Sequence, residues 1–119
     1  MRFAYMADTH FGGYDQFVPS RQDVSAAGDY ILSEAEVAEE VGFESLWLPE
    51  RHSRPETYFP SILTLAAAIA VRTTRIQIAT AVLQPTYYHP VHVAEQLAQI
   101  DMLSRGRLVF GAGVGYHED

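Results

Sequence analysis

The sequence predicts an α/β fold built on parallel strands, and three observations carry that prediction. Short apolar runs alternate with stretches of helical period in the order β-α-β-α-β-α-β. The runs are nearly continuously apolar, as expected of a sheet covered on both faces. Gly42 and Gly106 follow the first and third helical stretches, where a helix C-terminus needs them.

Taken in order, Arg2 to Met6 reads as the opening strand, and the polar segment Asp8 to Gly28 as a long loop with at most a turn of helix. From Asp29 the period becomes helical, with Ile31, Ala35 and Ala38 on one face and Glu36, Glu39 and Glu40 elsewhere. Phe43 to Leu48 is the second strand, with Phe43 and Trp47 assigned to the core, and Pro49 stops it. Pro60 suits a first helical position, so the second helix is expected from Pro60 to about Arg72. Ile76 to Val82 forms the third strand, and the third helix covers about Val91 to Ser104 with Val93, Leu97 and Ile100 inward. Leu108 to Gly111 starts a fourth strand. The second helix is apolar almost all round, from Ile62 to Val71, which calls for burial either within the chain or against a second subunit.

Composition narrows the chemistry. The 119 residues carry 8 Lys+Arg and 15 Asp+Glu, a net charge of −7, and every basic residue is Arg. With no Cys there is no disulfide framework, thiolate metal site or thiol nucleophile, and with no Lys no Schiff base or Walker-type phosphate loop. The acidic balance argues against nucleic acid as a partner. The longest apolar run, Leu65 to Val71, is too short for a membrane span, and the N-terminus carries no signal-peptide pattern, so a cytoplasmic location is expected.

In a parallel α/β sheet, ligands meet the loops at the carboxyl ends of the strands. Those loops hold Ala7 to Gly13, Pro49 to His52, Thr80 to Leu83 and Gly111 to His117. Glu50-Arg51-His52 is the densest ionisable cluster; His52 suits proton transfer near neutral pH and Glu50 suits orienting Arg51 or His52, although a structural ion pair at the rim would look the same. Gly111, Gly113 and Gly115 alternate without making G-x-G-x-x-G, so they signal close approach by a flat ligand or by another backbone. The small side chains of Thr80-Ala81-Val82 either leave room for a ring system or pack tightly. His89 and His92 have a possible ligand spacing, but His89 before Pro90 suits a helix cap better. Asp8-Thr9-His10 resembles the opening motif of metallophosphoesterases; the later Gly-Asp pairing and the Asn-His pair of those enzymes are missing, and the chain has no Asn.

Several stretches together resemble the bacterial luciferase-like flavin-dependent monooxygenases. They are Gly42-Phe43-Glu44-Ser45-Leu46-Trp47-Leu48-Pro49-Glu50-Arg51-His52, then Arg75-Ile76, Thr80-Ala81-Val82-Leu83 and His89-Pro90-Val91. Ala94-Glu95-Gln96, Asp101, Leu103 to Leu108 and Gly111-Ala112-Gly113-Val114-Gly115-Tyr116 continue the match. The resemblance implies a (β/α)8 TIM barrel of which residues 1–119 hold about the first four βα units, with FMN, or alternatively the deazaflavin F420, on the carboxyl-end face. It implies catalytic roles at Glu50, Arg51 and His52, with Arg51 standing where the family more often has His. It also implies a non-prolyl cis peptide at Ala81-Val82 beneath the flavin ring, and flavin contacts at Thr80, Gly113 and Val114. The implied reaction is oxidation of a small organic substrate by O2 and reduced FMN, or hydride transfer with F420. The implied partners are a flavin reductase and a second copy joined through the helix at 60–72. A half-barrel serving as a non-catalytic flavin-binding or assembly module is the alternative, and the isolated chain is expected to bind flavin weakly or not at all.

Overall fold

The computed structural model describes residues 1–10, 19–54 and 56–115. Four strands, β1 (Ala4–Met6), β2 (Ser45–Leu48), β3 (Gln77–Thr80) and β4 (Leu108–Val109), form one sheet in the order β1-β2-β3-β4, parallel throughout. Helices α1 (Arg21–Glu40), α2 (Ile62–Arg72) and α3 (Pro90–Ser104) make the crossovers. This unbroken order of neighbouring βα units is that of a barrel wall, as the sequence predicts.

The predicted start of the first helix needs correction. Helix α1 starts at Arg21, not at Asp29. Ser20 and Asp23 close a capping box: the Asp23 N–H donates to Ser20 Oγ at 3.2 Å and the Ser20 N–H to Asp23 Oδ2 at 2.9 Å. Gly28, read as a loop signal, lies inside the helix. The expected face is nonetheless the buried one, with Ala27, Ile31, Ala35 and Ala38 inward. Part of the loop assigned to Asp8–Gly28, and the terminal Tyr116 to Asp119, lie outside the described residues.

Helix α3 is capped by His89, whose Nδ1 accepts the Val91 N–H at 3.3 Å, so the capping role of that histidine holds. It ends with Arg105 and Gly106 both in the left-handed region, and the Gly106 N–H returns to Asp101 O at 2.9 Å.

The core lies between the helices and one sheet face: Ile31, Leu46, Leu48, Ile62, Leu65, Ile69, Ile76, Ile78 and Leu83 are fully buried. Six residues of α2, Ile62, Leu63, Leu65, Ala66, Ile69 and Ala70, are covered within the chain, while Val71 is exposed. Trp47 is not a core residue as expected. Leu46 and Leu48 take the helix side, and the two-residue period of a strand turns Trp47 to the other face, where it is 42% exposed between Met6 and Ala79.

Two charged side chains clamp the α2–β3 turn at the opposite end of the sheet from the ligand loops. Glu39, on α1, accepts hydrogen bonds from Thr74 N–H and Oγ1, Arg75 N–H and Ile76 N–H, at 2.6 to 3.1 Å. Arg107, just before β4, donates to Ala70 O, Thr73 O, Thr73 Oγ1 and Ile76 O at 2.8 to 3.0 Å and to Ser104 O at 2.7 Å. Desolvation alone would raise the Glu39 pKa, but these hydrogen bonds outweigh it and bring it down to about 2. A depressed carboxyl stabilises the fold fully above its ordinary value near 4.5, and that contribution fades as pH falls toward 2. Glu39→Gln is expected to destabilise the chain at pH 7 by about 1–2 kcal/mol, after discounting for solvent exposure. It should also flatten the decline of thermal midpoint between pH 4.5 and 2. Equal acid-side slopes for both proteins would refute that role.

Candidate active site

The carboxyl ends of the strands converge on a cavity of about 350 Å3 lined by Met6, Pro49, Glu50, Arg51, Ala81, Val82, Gln84, Gly113, Val114 and Gly115. Each strand end supplies part of the wall, because parallel strands all present the same end. Of the residues expected at a site, Glu50, Arg51, Ala81, Val82, Gly113 and Val114 meet here. His52 adjoins through Glu50, its Nε2 3.0 Å from Glu50 Oε1.

Glu50 is the fixed point. Its side chain is fully buried. The Tyr88 hydroxyl donates to Oε1, the Gln84 N–H donates to Oε2, and Gln84 Nε2 donates to the Glu50 carbonyl at 3.2 Å. Burial pushes the Tyr88 hydroxyl pKa well up, and its hydrogen bond and repulsion with Glu50 add to that, so it stays a donor. His52 approaches Oε1 out of line for a hydrogen bond, which leaves its Nε2 buried and, among the described residues, without a hydrogen-bond partner. The Tyr87 ring lies 4.7 Å from the His52 ring, at 51°. Gln84, Tyr87 and Tyr88 were not singled out by sequence. They sit on the short helical turn Pro85–Tyr87 and its flanks, and nothing in their spacing says that they fold back onto Glu50.

Arg51 forms no hydrogen bond or ion pair with the described residues, so its guanidinium is the free positive charge of the cavity wall. Met6, Val82 and Val114 give the cavity an apolar, solvent-reachable surface.

The Ala81–Val82 peptide is cis, at the position the resemblance implies. Past it the ladder resumes as a bridge between Leu83 and Ala112, with Leu83 N–H to Gly111 O and Gly113 N–H to Leu83 O both at 2.9 Å. This accounts for the alternating glycines. A Cβ on Gly111 would meet Thr80 O at 2.3 Å, one on Gly113 would meet Val82 Cγ2 at 2.6 Å, and one on Gly115 would meet Gln84 Oε1 at 2.4 Å. Of the two readings, close approach of backbone is the one realised at Gly111. Thr80 also has an internal task, since its Oγ1 donates to Gly111 O and accepts from Gly111 N–H, both at 2.8 Å. It lines the open inner face of the sheet rather than the strand-end cavity.

The Asp8-Thr9-His10 motif closes on itself: Asp8 Oδ1 accepts from the His10 N–H at 3.0 Å and lies 3.1 Å from His10 Nδ1. Among the described residues no group of three His, Asp or Glu side chains is arranged to hold a metal.

The flavin implied by the resemblance can be tested against these residues. A flat, largely apolar ring with a polar edge needs an apolar floor and an unsatisfied polar group beside it. Ala81, Val82 and Val114 with the orphaned His52 Nε2 supply both, so the residues present fit the group.

Comparison with known proteins assigns the family. The family model described as "luciferase-like monooxygenase" matches residues 1–119. Limonene 1,2-monooxygenase of Rhodococcus erythropolis is 36% identical over 116 residues, 98% of this chain and 28% of that protein. F420-dependent glucose-6-phosphate dehydrogenase of Amycolatopsis mediterranei is 43% identical over 84 residues, 66% of this chain and 25% of that protein. Among solved structures, monooxygenase RslO1 of Streptomyces bottropensis superposes with a TM-score of 0.82 at 29% identity, covering 98% of this chain and 34% of its own. The oxygenating constituent of 3,6-diketocamphane monooxygenase of Pseudomonas putida, solved with FMN, shares the fold at a TM-score of 0.80 and 24% identity, over 98% of this chain and 30% of its own. The chain therefore spans between a quarter and about a third of these relatives. A family match along all 119 residues means that this chain belongs to the luciferase-like monooxygenase family.

Proposed function

We propose that this chain supplies the first part of the active site of a flavin-dependent oxidoreductase, a monooxygenase that uses reduced FMN and O2 on a small organic substrate. The carrying observation is the orphaned His52 Nε2, held at Glu50 beside the apolar wall of Ala81, Val82 and Val114. Relatives named as monooxygenases and a neighbour solved with FMN support the reading. Similarity to F420-dependent glucose-6-phosphate dehydrogenases supports a second one, hydride transfer with F420 at the same wall.

Bound there, a reduced flavin would supply electrons to dioxygen or a hydride to a substrate. The residues do the rest. Ala81, Val82, Val114 and Met6 present an apolar surface on which a flat ring would be oriented and, once seated, shielded from water on that side. His52 Nε2 is the atom placed to hold or move a proton, with Glu50 Oε1 as its neighbour. Arg51, unpaired among the described residues, offers a positive charge to an anionic group of cofactor or substrate. A flavin reductase is the partner that the FMN reading requires. A homodimer through α2 would use the exposed side of that helix, at Thr64 and Val71.

His52→Ala is expected to lower flavin-dependent turnover by the complete barrel about 100-fold, the usual contribution of a positioned acid–base group. Turnover equal to wild type would remove His52 from the chemistry. Titration with FMN and with F420 separates the two cofactor readings.

A further inference from the structure

Tyr88 belongs to no strand end and lines no part of the cavity wall, yet its hydroxyl reaches the one carboxylate that the cavity buries completely. The oxygen that it reaches, Glu50 Oε1, is also the oxygen 3.0 Å from His52 Nε2. The other oxygen, Oε2, is occupied by the Gln84 N–H. The carboxylate thus cannot swing: one oxygen is tied to backbone and the other to a phenol. The same short segment carries Tyr87, whose ring rests 4.7 Å from that of His52. The β3–α3 loop consequently holds His52 twice, through ring contact and through Glu50.

We propose that Tyr88 is a positioning residue of this site, fixing Glu50 Oε1 and through it the place and proton affinity of His52 Nε2. The inference rests on the reading of His52 as the proton-handling group of a flavin site. The physical content is competition for one oxygen. A buried carboxylate that already accepts a phenol hydroxyl has less charge to offer an imidazolium on the same atom. Tyr88 therefore limits how strongly Glu50 can favour protonated His52, and it stops the carboxylate from turning to meet the ring in line. Among the described residues, the charged and titratable groups around this corner besides Glu50 and His52 are Arg51 on the β2 end and Tyr87 and Tyr88 on the β3–α3 loop. Gly113, Val114 and Gly115 on the β4 end bring none.

The test is the titration of the His52 imidazole, followed by 1H–15N NMR in this chain with no cofactor added. Tyr88→Phe removes the competing donor, so the His52 midpoint should rise by about half a pH unit or more. Glu50→Gln removes the carboxylate charge and should lower it by a similar amount. Tyr58→Phe, which removes a hydroxyl bonded elsewhere, to Asp8 O at 2.6 Å, should leave it in place. A His52 midpoint that moves in Glu50→Gln but not in Tyr88→Phe would overturn the proposal, as would one that moves in neither. If Tyr88→Phe fails to fold, 3-fluorotyrosine at position 88 keeps the shape and strengthens the donor. The midpoint should then fall, and an unchanged midpoint would equally overturn the role. Because the titration contains no flavin, its failure removes Tyr88 from the site, whereas failure to bind FMN or F420 removes the cofactor reading alone.

Discussion

Arg107→Met should destabilise the chain by about 3–4 kcal/mol, the largest effect expected of any single charged residue in it. Arg107 is not in a ligand loop and touches nothing that reacts. Its guanidinium satisfies three carbonyls at the end of α2 and the start of β3, those of Ala70, Thr73 and Ile76, together with Thr73 Oγ1 and Ser104 O. Helix α2 ends at Arg72, so its last carbonyls have no partner within the helix, and Ala70 O is one of them. Desolvation lowers the Arg107 pKa, which records the burial of the charge, but no physiological pH deprotonates it. Methionine would keep most of the volume of the stem and leave those acceptors without a donor. Arg107→Lys should recover less than half of the loss, because one ammonium cannot reach acceptors spread around a planar fork. Urea unfolding midpoints of the three proteins measure this directly. A Lys variant as stable as wild type would show that charge alone, not the fork, is what the turn requires.

Much of the fold was legible because parallel βα repetition leaves its mark in every segment. The periods of α1 and α3 identified the buried faces, and the apolar runs identified all four strands. The errors have local causes. Gly28 hid the first two turns of α1, because a glycine inside a helix and a glycine in a loop look alike without the cap at Ser20. Trp47 looked like core because a strand with both faces apolar does not say which face has a partner within the chain. The site divided in the same way. Glu50, Arg51 and His52 stood out as adjacent ionisable residues at a strand end, but Tyr88 and Gln84, more than thirty residues on, carry the contacts that hold Glu50. Glu39 and Arg107 show the converse. Residues of the same chemical types as Glu50 and Arg51, at the other end of the sheet, serve the turn and not a ligand. Only their position relative to the strand direction tells the two sets apart.

The glycine series gives the second large effect and asks whether the alternation after β4 serves ligand or backbone. If the glycines exist to let the chain pack on itself, the cost of Ala should follow what the new methyl meets. At Gly111 it meets a backbone oxygen, Thr80 O at 2.3 Å, and neither side can yield without moving β3 or β4. Gly111→Ala should therefore destabilise by about 3 kcal/mol. At Gly113 it meets the Val82 methyl at 2.6 Å, and a β-branched side chain has little rotamer freedom to move aside, so about 1–2 kcal/mol is expected. At Gly115 the obstacle is Gln84 Oε1, the end of a flexible side chain, but φ of +78° penalises any residue with a Cβ by about 1 kcal/mol. Moving Gln84 would also disturb its 3.2 Å hydrogen bond to Glu50 O, so Gly115→Ala should perturb the site more than the fold. Thermal midpoints should thus fall in the order Gly111 most, then Gly113, then Gly115, while the His52 titration shifts most in Gly115→Ala. Equal stability losses at all three would mean that the alternation answers to something other than these contacts, and a stable Gly111→Ala protein would remove the backbone reading altogether.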